Sequence, residues 1–567
     1  MSKRNTQKKG CGGFLFIIVG LLVLVLGAWK VWEQWGPAPQ YKANEMGSVD
    51  QPLTWNGQWS GYGSKGKGDQ LLVPIEAVKK GITTRVFEEG DSRRIILTSK
   101  MNVAVLEVGE SKGKWNGQDI DWGVEPERVD GQVFIPMTAL ERLYGVQAVQ
   151  YESTGGVQVR FPGQTIQLGV INEQQSTADT VTLYEQADKR SPEVSQLASG
   201  TPITMWKEQA GWFLIEDNGG RLGYIASDSI EQKGSETVEK QPVPPKPKFV
   251  EEGHSVSLAW EAVYSRNPDT DTLPKMPGVN VISPTWFSLA DEQGNVKSKA
   301  DSKLLDWAHR NGKQVWALFS NSFDPDLTTK ALSTYERRET TINQLLDYAK
   351  QYRIDGINID YENVNVEDRD VLTQFVREMT PRLHSAGLVV SIDVTAKSGS
   401  SRWSKFLDRG PLAESVDFMM VMAYDEHWAT SPKAGSVASL PWTETAVTRI
   451  MKEDGVPANK LVLGMPLYTR IWTETEKDGE RKVSSKAVGM RTIQELLSKQ
   501  QLKPTFAEQE GQNYVEYKEN GTLQRIWIED ERSIKARIDL AKRLDLAGVA
   551  AWARSLGNAE IWDIIHY

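Results

Sequence analysis

From residue 249 onward, short β-rich apolar runs alternate with amphipathic helical stretches, and this alternation limits the fold more than any other feature of the chain. Candidate strands are Val256–Trp260, Val279–Ser283, Val315–Phe319, Ile354–Glu362, Val389–Val394, Phe418–Tyr424, Leu461–Pro466 and Gly548–Trp552. Helices fit between them, for example Thr340–Tyr352 and Asp370–Ala386. Strands joined by helical crossovers pair in parallel. Eight such units predict an α/β fold, a closed (β/α)8 TIM barrel whose chemistry sits at the C-terminal ends of its strands. Residues 471–530 separate the last two strands widely. Tyr514–Tyr517 and Gln524–Ile528 read there as strands of an inserted α+β lobe.

The fourth candidate strand ends Asp355-Gly356-Ile357-Asn358-Ile359-Asp360-Tyr361-Glu362. Side chains alternate along a strand, so Asn358, Asp360 and Glu362 share one face and Ile357, Ile359 and Tyr361 the other. The apolar face fits under the helices, which turns the polar face into the barrel. Carboxylates buried this close repel each other and lose hydration, so one is driven toward a raised pKa. A carboxyl still protonated near neutral pH is what a glycosidic oxygen needs as proton donor.

Composition narrows the function. The chain has 567 residues, a length that suggests about four domains. Its 66 Lys and Arg against 75 Asp and Glu leave a net charge of −9, the wrong balance for a nucleic-acid binder. One cysteine, Cys11, excludes an intrachain disulfide and a Cys-rich metal site. The five histidines form no HExxH pair, which disfavours a zinc hydrolase. No cofactor and no metal are expected. Twenty tryptophans point toward flat apolar ligands such as sugar rings.

The N-terminus speaks to location. Lys3, Arg4, Lys8 and Lys9 precede an uninterrupted apolar run, Phe14–Ala28, and Trp29 and Trp32 follow it. A positive flank, an apolar centre and interfacial Trp suit a membrane helix with its N-terminus inside. Counting to Trp32 brings the run near the roughly 20 residues a span needs. Residues 1–32 are therefore expected to anchor the chain in the cell membrane as a single pass, with the later domains extracellular. Cleavage of the anchor would make the protein secreted.

Between anchor and barrel lie two smaller modules. In residues 50–172, Leu72-Val73-Pro74-Ile75-Glu76-Ala77 is echoed by Phe134-Ile135-Pro136-Met137-Thr138-Ala139, each a short strand leading through Pro into a helix. This α+β pattern resembles the copper-amine-oxidase N-terminal-like stalk domain of exported bacterial proteins. No metal-ligand cluster accompanies it. In residues 178–232, Val181–Tyr184, Pro202–Trp206, Gly211–Ile215 and Gly223–Ile225 are spaced like a small β-barrel. They resemble a bacterial SH3-like domain, a type that often binds cell-wall peptides. Residues 233–248, with clustered prolines and charges, read as an extended linker to the catalytic domain, 249–567.

The fourth strand is similar to the DxxDxDxE motif of glycoside hydrolase family 18. Asp355, Asp360 and Glu362 match it, and Asn358 stands where chitinases usually have Asp. Met422-Ala423-Tyr424-Asp425 resembles the family's sixth strand, Leu463–Arg470 its seventh, and Gly548–Trp552 its eighth, whose Trp floors the sugar site. Tyr424–Trp428 followed by Ser436–Trp442 is closer to the spore-cortex and cell-wall branch than to true chitinases. The Asn variant occurs in that branch too.

The resemblance implies a retaining, substrate-assisted reaction on an N-acetylated sugar, with catalytic residues Glu362, Asp360 and Tyr424. Glu362 would protonate the leaving oxygen and later activate water. The substrate's own 2-acetamido group would attack the anomeric carbon, oriented by Asp360 and bonded by Tyr424. Trp552, Asp425, Tyr468, Arg470 and Asn358 would bind substrate, while Asp355 and Gly356 complete the motif structurally. Trp286 and Trp316 are further candidates for sugar contact, and His427 reads as a satisfied structural residue. The expected protein cleaves N-acetylglucosamine-containing polysaccharide of the cell wall, peptidoglycan. A chitinase and a catalytically silent wall-glycan-binding protein are the alternatives.

Overall fold

A computed structural model describes Val25, Met46 and residues 49–567, apart from 91–92, 173–179, 245 and 478–479. The expected membrane anchor, residues 1–32, lies outside the described residues save for Val25. Among the described residues, no helix is long and apolar enough to cross a membrane.

The described residues fall into two compact units, those up to Thr84 with Arg128–Gln241, and Arg85–Glu127 with Pro242–Tyr567. The second unit contains the barrel. Its strands are Val256–Glu261, Val281–Pro284, Gln314–Ser320, Gly356–Asp360, Val389–Thr395, Phe418–Met422, Leu461–Pro466 and Gly548–Trp552. Each pairs in parallel with the next, and the last closes on the first with Gly548 opposite Val256. The alternation in the sequence therefore reports the fold correctly. The fourth strand is shorter than expected at both ends. Asp355 precedes it, and Glu362 lies in the loop beyond it.

Two apolar layers hold the barrel. Ile357, Ile359 and Tyr361 pack outward with Leu345, Phe375 and Val376 of the flanking helices. Trp260, Trp316, Leu318, Phe418 and Met420 fill the interior. Full burial of each such side chain contributes about 1.5–3 kcal/mol. Gly356 is required by this filling. A β-carbon there would meet the Val389 carbonyl at 2.7 Å and the Trp316 indole at 2.8 Å. Gly356→Ala is expected to cost about 1–3 kcal/mol through overpacking, read as a lower denaturation midpoint. An unchanged midpoint would show that the Val389 backbone and the Trp316 indole both give way at little cost.

The inserted lobe is present between strands seven and eight. It is a sheet ordered Glu480–Gly489, Tyr468–Lys477, Thr522–Ile528, Gln512–Glu519, Thr505–Ala507, with the helix Met490–Lys499. A second sheet in this unit comes from residues 86–121, five antiparallel strands drawn from the stretch expected to form the stalk. Its Phe87, Ile96, Val103 and Val105 cluster with Tyr335 of the helix Tyr335–Tyr352. Beside them Arg338, fully buried on the same helix, pairs with Glu89 at 3.0 Å and Glu378 at 2.9 Å.

In the first unit the two echoed hexapeptides pair with each other. Leu72–Pro74 and Gln132–Pro136 run antiparallel with Val73 opposite Ile135, and each leads into a helix, Ile75–Gly81 and Met137–Tyr144. The SH3-like strands lie in a seven-stranded sheet over a core of Ile171, Leu183, Leu197, Ile203, Met205, Ile215 and Ile225. The linker starts later than expected. Backbone pairing along Thr165–Ile171 keeps Ile230–Thr237 a strand, so extended chain begins only after Thr237.

Candidate active site

Strand four ends at Asp360, and Glu362 follows two residues later at the C-terminal mouth of the barrel. The Glu362 backbone is clamped by Asn321, which follows strand three and is fully buried. Asn321 Nδ2 donates to the Glu362 carbonyl (2.7 Å), and its Oδ1 accepts from the Glu362 amide (3.1 Å). The side chain of the expected acid thus projects from a fixed peptide. Nothing in the sequence pattern singled out Asn321.

Asp360 is buried, and its Oδ1 has no hydrogen-bond partner among the described residues. Burial pushes its carboxyl up to about 7. Burial also holds the Glu362 carboxyl well above the usual range, reinforced by the nearby charges of Asp360 and Asp425. Desolvation and like charge act together, as expected for a carboxyl that keeps its proton near neutrality.

Asn358 lies one inward position below Asp360 and does not reach the cleft. It is fully buried. Its Oδ1 accepts from Trp260 Nε1 (2.9 Å) and Ser283 Oγ (3.1 Å), and its Nδ2 donates to Asp393 Oδ1 (2.8 Å). The expected role in binding substrate is corrected accordingly, because every polar atom of the amide is used inside the barrel. Asp393, on strand five, was missed. The signal was present as one acidic residue in the run Val389-Val390-Ser391-Ile392-Asp393-Val394. Burial first, then Asp360 and Glu362, pushes its carboxyl well above the ordinary range, against hydrogen bonds from Asn358 and Trp260.

Asp355 sits at the opposite end of strand four. Its Oδ2 accepts from the Val315 amide (2.8 Å) and lies 2.9 Å from His309 Nε2, so it ties the start of strand four to strand three and to the helix Ser302–Arg310.

Tyr424 and Asp425 follow strand six. Burial and the surrounding carboxyls raise the Tyr424 phenol, keeping it a hydrogen-bond donor. Asp425 has φ +60°, a left-handed conformation that Asp adopts more readily than most non-glycine residues. Its Oδ1 accepts from Tyr468 OH (2.7 Å) and Arg470 Nη2 (3.0 Å). Tyr468 and Arg470 are themselves largely buried. Both expected substrate contacts therefore hold Asp425 in place. Trp552, half-buried at the end of strand eight, packs edge-on to Trp260 with centroids 6.0 Å apart.

Two aromatic candidates are corrected. Trp286 is buried and donates to Asn267 (2.7 Å), and Trp316 stacks on Phe418 inside the barrel. Core packing took both, since position near a strand end does not fix the level of a side chain. His427 contacts the Ser436 carbonyl at 2.9 Å, as a structural histidine would.

A barrel mouth carrying a carboxyl pushed well above its ordinary range beside a second buried acid, with an indole at the eighth strand, defines a glycosidase-type site. Comparison with known proteins agrees. The profile of glycosyl hydrolases family 18 matches residues 272–557, and the chain belongs to that family, as an O-glycosyl hydrolase. The bacterial SH3 domain matches residues 179–231 and the copper amine oxidase N-terminal domain residues 65–159. The uncharacterized glycosylase YvbX of Bacillus subtilis (strain 168) is 30% identical over 301 residues, 51% of this chain and 84% of that protein. The cortical fragment-lytic enzyme of Bacillus anthracis is 27% identical over 292 residues, 49% of this chain and 66% of that protein. The spore cortex-lytic enzyme SleL of Bacillus megaterium QM B1551 shares the fold, with TM-score 0.50, 20% identity, and coverage of 60% of this chain and 78% of that one.

Proposed function

We propose that the protein is held in the cell membrane by residues 1–32, faces outward, and cuts N-acetylglucosamine linkages in peptidoglycan by a retaining, substrate-assisted reaction. The observation that carries this reading is the pair at the mouth: Glu362 with its raised carboxyl, and Asp360 with a buried oxygen that has no partner among the described residues. Glu362 gives its proton to the glycosidic oxygen. The substrate's acetamido carbonyl attacks the anomeric carbon, and the resulting oxazolinium N–H meets the open Asp360 oxygen. Tyr424 donates to the acetamido oxygen. Glu362 then takes a proton from the water whose oxygen attacks the anomeric carbon, which breaks the oxazolinium C–O bond and frees the acetamido group, and Trp552 supports the sugar face. The likeness to a cortical fragment-lytic enzyme favours peptidoglycan over chitin.

The test is digestion of purified peptidoglycan and, separately, of chitin oligosaccharides by the full chain. Mass spectrometry reads the new reducing ends and NMR the first anomer formed. New N-acetylglucosamine ends from peptidoglycan, with retained configuration, are expected. Turnover of chitin alone, inversion, or binding of peptidoglycan without product would each overturn the proposal.

A further inference from the structure

We propose that Asp393 is a positioning residue that stores the proton of Asp360, accepting it when substrate arrives and returning it when product leaves. This rests on the substrate-assisted reading above and deepens it. The parallel register of strands four and five sets Ile359 opposite Ile392. The next residues along, Asp360 and Asp393, therefore lie side by side on strands about 4.8 Å apart. Asp393 is only 2% exposed, so solvent is not its proton source.

Asn358 fixes how Asp393 is held. The amide oxygen is already occupied by Trp260 and Ser283, so the amide nitrogen faces Asp393. An amide neither gains nor loses a proton in this range. The residue below Asp360 on its own strand therefore has no means of taking the Asp360 proton. A carboxyl on the adjacent strand does.

The titratable groups that face Asp393 are Asp360 and Glu362 from the fourth strand and its loop, and Tyr424 beyond strand six. Trp260 and Asn358 contribute neutral donors, and Met420 is its register partner on strand six. All the titratable neighbours are acids, so the cluster favours sharing protons over full ionisation. In the resting site Glu362 is protonated, and Asp360 and Asp393 share one proton and one negative charge. An acetamido N–H at Asp360 Oδ1 favours the anion there. The proton then moves to Asp393 and the charge moves to Asp360, with no exchange with solvent.

Burial alone holds Asp360 near 7. Without an acceptor beside it, Asp360 would have to lose its proton to water. In Asp393→Asn, the acid limb of kcat/KM is therefore expected to move up by at least about one pH unit, toward 7, with kcat above that pH less affected. Asp393→Ser, equally unable to accept the proton, carries the same expectation. Asp393→Glu restores the wild-type limb. A limb left in place in both neutral variants, or a uniform loss of rate at every pH, overturns the proposal. Failure of the underlying reading is separately visible: wild-type enzyme would then cleave an analogue lacking the 2-acetamido group as fast as the acetylated glycan.

Discussion

Glu362→Gln is expected to leave a folded barrel that turns over glycan about 10²–10⁴-fold more slowly, the range that a positioned general acid contributes. The amide keeps the size of the side chain but has no proton to give an ether oxygen. The peptide that carries it is still clamped by Asn321, so the loop has no reason to move. The same substitution should stabilise the protein at alkaline pH. A carboxyl whose folded pKa lies above its unfolded value retains a proton that the unfolded chain releases. Stability then falls as pH rises through that interval. For Asp360 the interval runs from 3.8 to about 7, and stability is lost across it. Glu362 is shifted in the same direction. Glu362→Gln removes one member of this strained group, so its melting temperature should exceed that of wild type at pH 8, with the gap closing by about pH 4. Wild-type turnover by the variant would refute the role of Glu362, and a gap of opposite sign would refute the electrostatic account.

Arg338→Met is expected to cost about 3–5 kcal/mol, the range for stripping one partner from a buried ion pair. Arg338 has no exposure and spends its guanidinium on Glu378 through Nε and Nη2, both at 2.9 Å, and on the Leu332 carbonyl at 2.8 Å. It also reaches Glu89, next to the small sheet of residues 86–121, at 3.0 Å. Methionine fills the volume but leaves Glu378 buried without a counter-charge and Glu89 with Arg94 (2.9 Å) in place of two arginines. Lysine should rescue only partly, because a point charge cannot match two carboxylates at fork geometry. Urea unfolding gives the free energy. Limited proteolysis should show residues 86–121 cut earlier than in wild type. Activity per folded molecule should stay unchanged, since Arg338 touches none of the mouth residues. A loss below about 1 kcal/mol would mean that water reaches Glu89 and Glu378 and replaces the arginine.

Much of this protein is legible along the chain. The eight apolar runs predict the eight barrel strands because periodicity reports which residues share a face, and a parallel sheet under helices needs a continuous apolar outer layer. The same local logic places Ile357, Ile359 and Tyr361 outward and Asn358 and Asp360 inward, and the pattern around Glu362 marks the acid. The echo between Leu72–Ala77 and Phe134–Ala139 likewise becomes a strand pair. Periodicity carries no information on how deep an inward residue lies or which strand stands beside it. Depth decides that Asn358 and Trp316 serve the barrel interior while Asp360, 7% exposed, lies at the strand's C-terminal end. Register and closure bring Asp393 beside Asp360, Asn321 against Glu362, Tyr468 and Arg470 onto Asp425, and Glu89 to Arg338 across some 249 positions of chain. Those contacts depend on distances between strands and helices far apart in sequence, and only the closed barrel sets them. The sequence by itself determined the fold and marked Glu362 as the candidate acid. The tertiary structure alone decided which carboxyls lie together and which side chains hold them still.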